Sequence, residues 1–216
     1  LPASDALTLW WLGQSGFLVH FRGEFLLFDP YLSDSLTKKY AATDKPHVRL
    51  TARIVNPAEL DFIDVVTSTH NHTDHLDADT LLPLFTASSQ ARLVMPAANL
   101  GFATQRLGAA HRFRLAPLAD SERTAIGHFT FEAVPAAHEH LAPEFAGFVV
   151  TAGPHRIYHS GDTVMYPGMA DRLRPFALDL ALLPINGRAP ERRVSGNLDG
   201  PEAARLACAI GARWVV

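Results

Sequence analysis

Cysteine is nearly absent: Cys208 is the only one among 216 residues. An intrachain disulfide is thereby excluded, as is a closed structural zinc site of the Cys-rich kind, and the composition fits a reducing, cytoplasmic compartment. No run approaches the ~20 apolar residues that span a bilayer, so no membrane partner is expected. Leu1–Asp5 has neither a basic n-region nor an apolar core, which predicts no signal peptide. There is no initiator methionine, so the gene's first residue is expected upstream. Internal repeats, low-complexity tracts and Lys/Arg clusters are missing too, and the net charge is −3. Bulk electrostatics therefore give no reason to expect a nucleic-acid partner. What remains is an ordinary globular composition, 48% hydrophobic and 19% charged, long enough for one domain over residues 1–216.

The first third alternates like strands. Leu7–Leu12, Phe17–Phe21 and Glu24–Phe28 are apolar and β-prone, with a hairpin turn predicted at Arg22-Gly23. Residues 33–58 are polar and proline-punctuated, which predicts a long excursion with short helices at most. A buried strand is expected over Phe62–Thr69, a helix over Asp77–Phe85 capped by Asp77 or Asp79, a strand over Arg92–Met95 and a helix over Ala98–Leu107. Strands follow at His111–Leu115, Arg123–Ile126, Phe129–Val134, Phe145–Thr151, Arg156–His159 and Leu180–Ile185. The chain then gives a helix over Pro201–Ile210 and a strand over Arg213–Val216. Strands toward both ends with interleaved helices predict an α/β fold of two sheets covered by helices.

Eleven histidines is the one unusual count, and the spacing of three of them is not scattered. His70-Asn71-His72-Thr73-Asp74-His75 follows directly on a predicted strand, where α/β proteins collect ligands. Imidazoles and carboxylates are donors that zinc, manganese or iron accept. His70 and His72, two apart, share a face if extended, and Asp74 and His75 follow after a bend. In a chain of this composition, chance assembly of such a string has odds on the order of one in a thousand. Two later segments repeat the arrangement: Phe129–Val134 runs into His138, and Arg156–His159 runs into Ser160-Gly161-Asp162-Thr163. Alone, a histidine after a strand is more often a surface or hydrogen-bonded residue, and Ser-Gly-Asp-Thr is most often a turn.

In order and placement these motifs resemble the metallo-β-lactamase superfamily. Trp11-Leu12-Gly13-Gln14-Ser15-Gly16-Phe17, Phe28-Asp29-Pro30-Tyr31 and Tyr158–Thr163 are similar to that superfamily's surroundings. The resemblance implies an αββα sandwich of two mixed sheets flanked by helices. It implies two divalent ions, zinc or manganese: His70, His72 and His138 on one, Asp74 and His75 on the other, and Asp162 bridging. It implies hydrolysis by a metal-activated hydroxide, with Asp74 orienting it and passing a proton to the leaving group. Thr69–Asp77, Ala137-His138-Glu139, Pro184–Arg188 and Gly196-Asn197-Leu198 more narrowly resemble the L-ascorbate-6-phosphate lactonase-like branch. That branch implies a small-molecule lactone or phosphorylated sugar-like ester as substrate.

One feature departs from the pattern. Its last histidine should follow Arg213–Val216, and no histidine stands there. The C-terminal segment with that ligand is therefore expected past Val216; within these residues the second metal site is incomplete. Asp29 is a candidate partner for a ligand histidine, or a turn-forming residue before proline. Asn186, Arg188, Asn197 and His140 are candidate substrate contacts, Arg188 because its planar fork suits phosphate or carboxylate. His159 is a candidate support for the Asp162 loop; Arg192 and Arg193 are expected at the surface, and His20, His47, His111, His128 and His155 are expected to be structural or exposed. A phosphodiesterase or nuclease on the same metals, and a non-catalytic metal-binding protein, are the competing functions. A homo-oligomer is the expected assembly.

Overall fold

A computed structural model describes residues 5–189 and 196–216. Arg192 and Arg193 lie outside the described residues, as does the start of the chain, Leu1–Ser4. The expected α/β class is found, with two mixed sheets and helices. The chain divides into two compact units, Leu1–Met95 with Asn99–Pro117, and Pro96–Ala98 with Leu118–Val216.

The first unit contains strands β1 (Thr8–Gly13), β2 (Gly16–Phe21), β3 (Glu24–Phe28), β4 (Val65–Thr67), β5 (Arg92–Pro96) and β6 (Leu115–Leu118). They form one sheet in that order. The first three pair antiparallel, and β3, β4 and β5 run parallel. The β2–β3 hairpin turns at Arg22 and Gly23, with φ of 50° and 87°. Positive φ at both central residues matches the twist of the flanking strands, and glycine takes it without steric cost. The excursion after β3 holds only a short helix, α1 (Ser35–Tyr40), and a 3-10 turn at Pro57–Glu59. Between β4 and β5 lies helix α2 (Ala78–Ala87), the connection that a parallel pair requires. Its buried Leu81, Leu84 and Phe85 pack in one apolar cluster with Leu27, Val66 and Leu93. Helix α3 (Leu100–Leu107) adds Ala103 and Leu107 to that cluster.

The second unit holds β7 (Arg123–Ile126), β8 (Phe129–Ala137), β9 (Leu141–Ala152), β10 (His155–His159), β11 (Leu180–Leu182) and β12 (Trp214–Val215). These pair in sequence order, antiparallel from β7 to β10 and parallel from β10 to β12. The two parallel steps again carry helices, α4 (Met169–Leu173) and α5 (Gly200–Ile210). Asp199 caps α5 in a capping box with Glu202, and Pro201 stands in its first turn, where its missing N–H costs nothing. Leu173, Leu206 and Ile210 pack with Val134, Val149, Tyr158 and Ala181.

Two expected strands differ in the structure, and one helix was not expected. His111–Leu115 is a 3-10 turn, Ala109–Arg114, leading into β6. There the buried Arg114 guanidinium donates to the carbonyls of Ser89 and Ala91 at 2.6 and 3.2 Å, bonds that an arginine pointing out of a strand would not make. The strand expected over Phe62–Thr69 has ladder bonds only at Val65–Thr67, and Phe62 is exposed with its ring edge-on to Phe25. Helix α4 was not anticipated; five residues are too few for a 3.6-residue period to show.

Candidate metal centre

The histidine-rich loop begins where β4 ends. Two turns shape it: His75 N and Leu76 N both donate to His72 O, at 3.1 and 2.8 Å. Arg106 of α3 braces it, one guanidinium nitrogen donating to the carbonyls of Asn71 and Leu76 at 2.8 and 3.0 Å. Burial lowers the Arg106 pKa from its ordinary value, and the Asp77 charge opposes the shift. Within this loop the rings of His70 and His72 have centroids 4.6 Å apart, and those of His70 and His75 are 4.0 Å apart. His70 and His75 are buried, while His72 is exposed. A metal takes the neutral imidazole, through its one lone pair.

Beneath the loop lies Asp29, fully buried. Its carboxylate accepts from Thr67 Oγ1 at 2.7 Å, from Thr69 N at 3.0 Å and from the Thr69 hydroxyl. His75 Nδ1 stands 2.7 Å from Asp29 Oδ2. A carboxylate only accepts, so Nδ1 is the donor and Nε2 is the nitrogen turned away from Asp29. Of the two sequence readings of Asp29, the partner of a histidine is the one this geometry supports. His75 Nε2 in turn lies 3.7 Å from Asp74 Oδ2. The Gln14 amide donates to the same oxygen at 2.9 Å. Asp77 takes the N-cap position of α2, yet its side chain accepts from the hydroxyls of Ser33 and Thr80 instead of a backbone N–H. His47 is half-buried, and burial lowers its pKa while the Asp74 charge opposes the shift. It therefore stands within electrostatic reach of the loop. His20 is structural: its Nε2 accepts from Gly23 N at 3.2 Å in the hairpin.

The second unit holds the other two predicted ligands together. His138 Nε2 lies 3.5 Å from Asp162 Oδ2. His138 Nδ1 lies 3.0 Å from the carbonyl of Gly196, which only accepts, so Nδ1 is the donor of that bond. Bonds between the two loops fix this pair: Val164 N donates to Ala137 O at 2.7 Å, and Ala137 N to Thr163 Oγ1 at 3.0 Å. A cavity of about 410 Å³ beside them is lined by Glu139, Val164, Met165, Arg188 and Gly196, within the range that small-molecule sites occupy.

The four tentative substrate residues fare differently. His140 is exposed, its ring 6.2 Å from that of Phe145. Asn186 is exposed and bridges to Asp199. Asn197 is buried. Arg188 lines the cavity with its fork already engaged: Nη1 and Nη2 each donate to Glu202 at 2.6 Å. Gln14, Thr69 and Arg106 escaped sequence reasoning. Gln14 is 60 residues from Asp74, a separation over which spacing says nothing.

The sequence profile of the beta-lactamase superfamily domain matches residues 25–216. The chain is 27% identical over 177 residues to a UPF0173 metal-dependent hydrolase of Caldivirga maquilingensis, covering 82% of this chain and 69% of that protein. It is 26% identical over 235 residues to N-acyl-phosphatidylethanolamine-hydrolyzing phospholipase D 1 of Caenorhabditis elegans, covering 98% of this chain and 65% of that protein. The chain thus spans about two thirds of the length of these relatives. Its fold is similar to the crystal structure of a possible metal-dependent hydrolase from Veillonella parvula, with TM-score 0.76, 16% identity, and coverage of 98% and 85% of the two chains.

Proposed function

The chain belongs to the beta-lactamase superfamily as one of its metal-dependent hydrolases, and we propose that it hydrolyses a small-molecule lactone or phosphorylated sugar-like ester. One observation carries the reading most directly: the loop after β4 gathers three imidazoles, one of them pinned by a buried carboxylate. That donor set fits zinc or manganese, since neutral imidazole and carboxylate are ligands both ions take. Following the family pattern, we assign His70, His72 and His138 to one divalent ion and Asp74 and His75 to a second, with Asp162 between them.

When bound, such ions supply hydroxide at neutral pH by lowering the pKa of water to about 7, and they stabilise an oxyanion. The protein's own residues do the rest. Asp29 holds the His75 ring in one tautomer and one orientation, and the Gly196 carbonyl does the same for His138. Asp74, with one oxygen held by Gln14, accepts a proton from the attacking water and returns it to the leaving group. The cavity beside Glu139, Val164 and Met165 takes the body of the substrate. The branch motifs Pro184–Arg188 and Gly196-Asn197-Leu198 support the lactonase-like assignment, and Asn186 and His140 are rim contacts in this reading. The partners we propose are the small substrate and, for assembly, further copies of the chain. With one cysteine, we assign the protein to the cytoplasm. No helix among the described residues is long and apolar enough to cross a membrane.

A phosphodiesterase on the same centre is the second reading, favoured by the similarity to a phospholipase D over 98% of the chain. The deciding experiment loads the full chain with Zn²⁺ or Mn²⁺ and offers lactones, phosphodiesters and thioesters, with His72→Ala as control. The expected result is metal-dependent turnover, fastest on a lactone, that the variant loses. Preference for phosphodiesters would replace the substrate assignment. Equal rates in parent and variant would overturn the hydrolytic role of the centre.

A further inference from the structure

Arg188 looks from its sequence context like a clamp for an anionic substrate. Its surroundings point elsewhere. Both terminal nitrogens meet the two oxygens of Glu202 at 2.6 Å, a parallel two-bond fork, and Nη1 also donates to Asn197 O at 3.1 Å. The fork is satisfied by the protein itself. Glu202 is fixed in turn: its Oε2 accepts from Asp199 N at 3.1 Å, and its own N–H donates to Asp199 Oδ1 at 2.7 Å. The Glu202 carboxyl, chiefly through its bonds with Arg188, is held at a pKa of about 2. The guanidinium therefore ties the first turn of α5 to the main chain at residue 197.

The next residue back is Gly196, whose carbonyl orients His138. The fit there leaves no room for a side chain. A Cβ on Gly196 would come within 2.8 Å of Val164 Cγ1 and 3.3 Å of His138 O, with Arg188 Cδ at 3.5 Å. From the other side, Leu198 N donates to Thr163 O at 2.8 Å, and Gly187 N to Leu198 O at 2.9 Å. One strut thus runs from Glu202 through Arg188 to the backbone at 196–198, and from there to His138 Nδ1. A lysine could not replace it, since a single ammonium cannot span both carboxylate oxygens and a carbonyl in one plane.

We infer that Arg188 and Glu202 form a positioning pair for His138, acting through the Gly196 carbonyl, and that Arg188 does not bind substrate. The inference rests on the assignment of His138 as a metal ligand. It predicts that the pair tunes metal affinity while leaving recognition of the substrate's charge alone. Groups that orient a ligand histidine typically change metal affinity 10- to 100-fold, about one to two decades, when removed.

The test titrates the full-length apo protein with Co²⁺ alone, reading affinity and the visible d–d spectrum. Arg188→Ala, Arg188→Lys and Glu202→Gln are each expected to weaken Co²⁺ binding by about 10- to 100-fold and to alter the spectrum. The double variant R188A/E202Q should be no weaker than either single one, because both break one strut. KM for an anionic ester at saturating metal should stay unchanged. Unaltered Co²⁺ affinity with a raised KM in Arg188→Ala would make Arg188 a substrate clamp and overturn the inference. So would a lowered KM in Glu202→Gln, since freeing the fork would then help binding. If Arg188→Ala does not fold, the nearly isosteric Glu202→Gln decides by the same readouts. A parent that binds no Co²⁺ overturns the metal assignment and this inference together; a parent and variants that bind Co²⁺ equally overturn the inference alone.

Discussion

Replacing Asp29 with Asn removes a charge and almost no volume. Asp29 has φ of 32°, a left-handed conformation that Asn tolerates as well as Asp, so the backbone is not strained by the change. The carboxylate accepts from Thr67 Oγ1, Thr69 N, the Thr69 hydroxyl and His75 Nδ1. An amide keeps one accepting oxygen and turns its NH₂ toward the remaining donors. In either orientation about two bonds to a charged acceptor are lost, each contributing about 1.5–3 kcal/mol. Rotation of the Thr69 hydroxyl recovers part of this. The net expectation is a destabilisation of about 3–4 kcal/mol, in the range for breaking a buried charged network. Urea unfolding of the apo protein reads it as a fall in the midpoint with an unchanged slope. A His75→Ala, Asp29→Asn cycle should show coupling between the two residues of at least about 1 kcal/mol. A loss below about 1 kcal/mol for Asp29→Asn alone would refute the view that Asp29 is the buried anchor of the loop.

Gly147→Ala should destabilise by about 1–3 kcal/mol through overpacking, since the new Cβ would meet Tyr158 Cε2 at 2.7 Å and His159 O at 3.1 Å; thermal unfolding with an unshifted midpoint would contradict that fit. Glu202 contributes stability above its unfolded pKa of about 4.5, and this is lost as pH falls toward its folded pKa of about 2. The acid limb of the stability–pH curve should therefore flatten between those values in Glu202→Gln, and an identical limb would remove the fork's electrostatic role. Asp64 has its pKa raised, chiefly by burial and against the bond it accepts from Phe25 N. Its penalty grows as pH rises above the unfolded value near 3.8. Asp64→Asn should accordingly gain stability at pH 7 relative to pH 3, as denaturant midpoints at the two values would report.

Much of this was legible in the sequence because the signals were local. The strands β2 and β3 and their Arg22-Gly23 turn, the capped helix α5 and the His70–His75 string are each read from neighbours within a few residues. Where the sequence misled, the cause was long-range. Arg114 winds a predicted strand into a 3-10 turn to reach carbonyls 23 and 25 residues away. The Asp-Pro context of Asp29 leaves both a turn and a histidine's partner open, and only the contact with His75, 46 residues on, favours the partner. The loop context of Arg188 suggests a fork open to phosphate or carboxylate, whereas Glu202, 14 residues later, meets that fork. Such pairings are set by tertiary packing, which overrides local preference without leaving a periodic trace.

In the proposed function, hydrolysis by this chain depends on metal held by the loop after β4. The most direct measurement strips the full chain with a chelator, returns Zn²⁺ or Mn²⁺ stepwise, and follows bound metal and ester hydrolysis together in the parent and in His70→Ala. Activity that is abolished by stripping, returns in proportion to bound metal in the parent, and fails to return in His70→Ala is the predicted result. Turnover that survives chelation, or equal metal uptake and equal rates in His70→Ala, would contradict it.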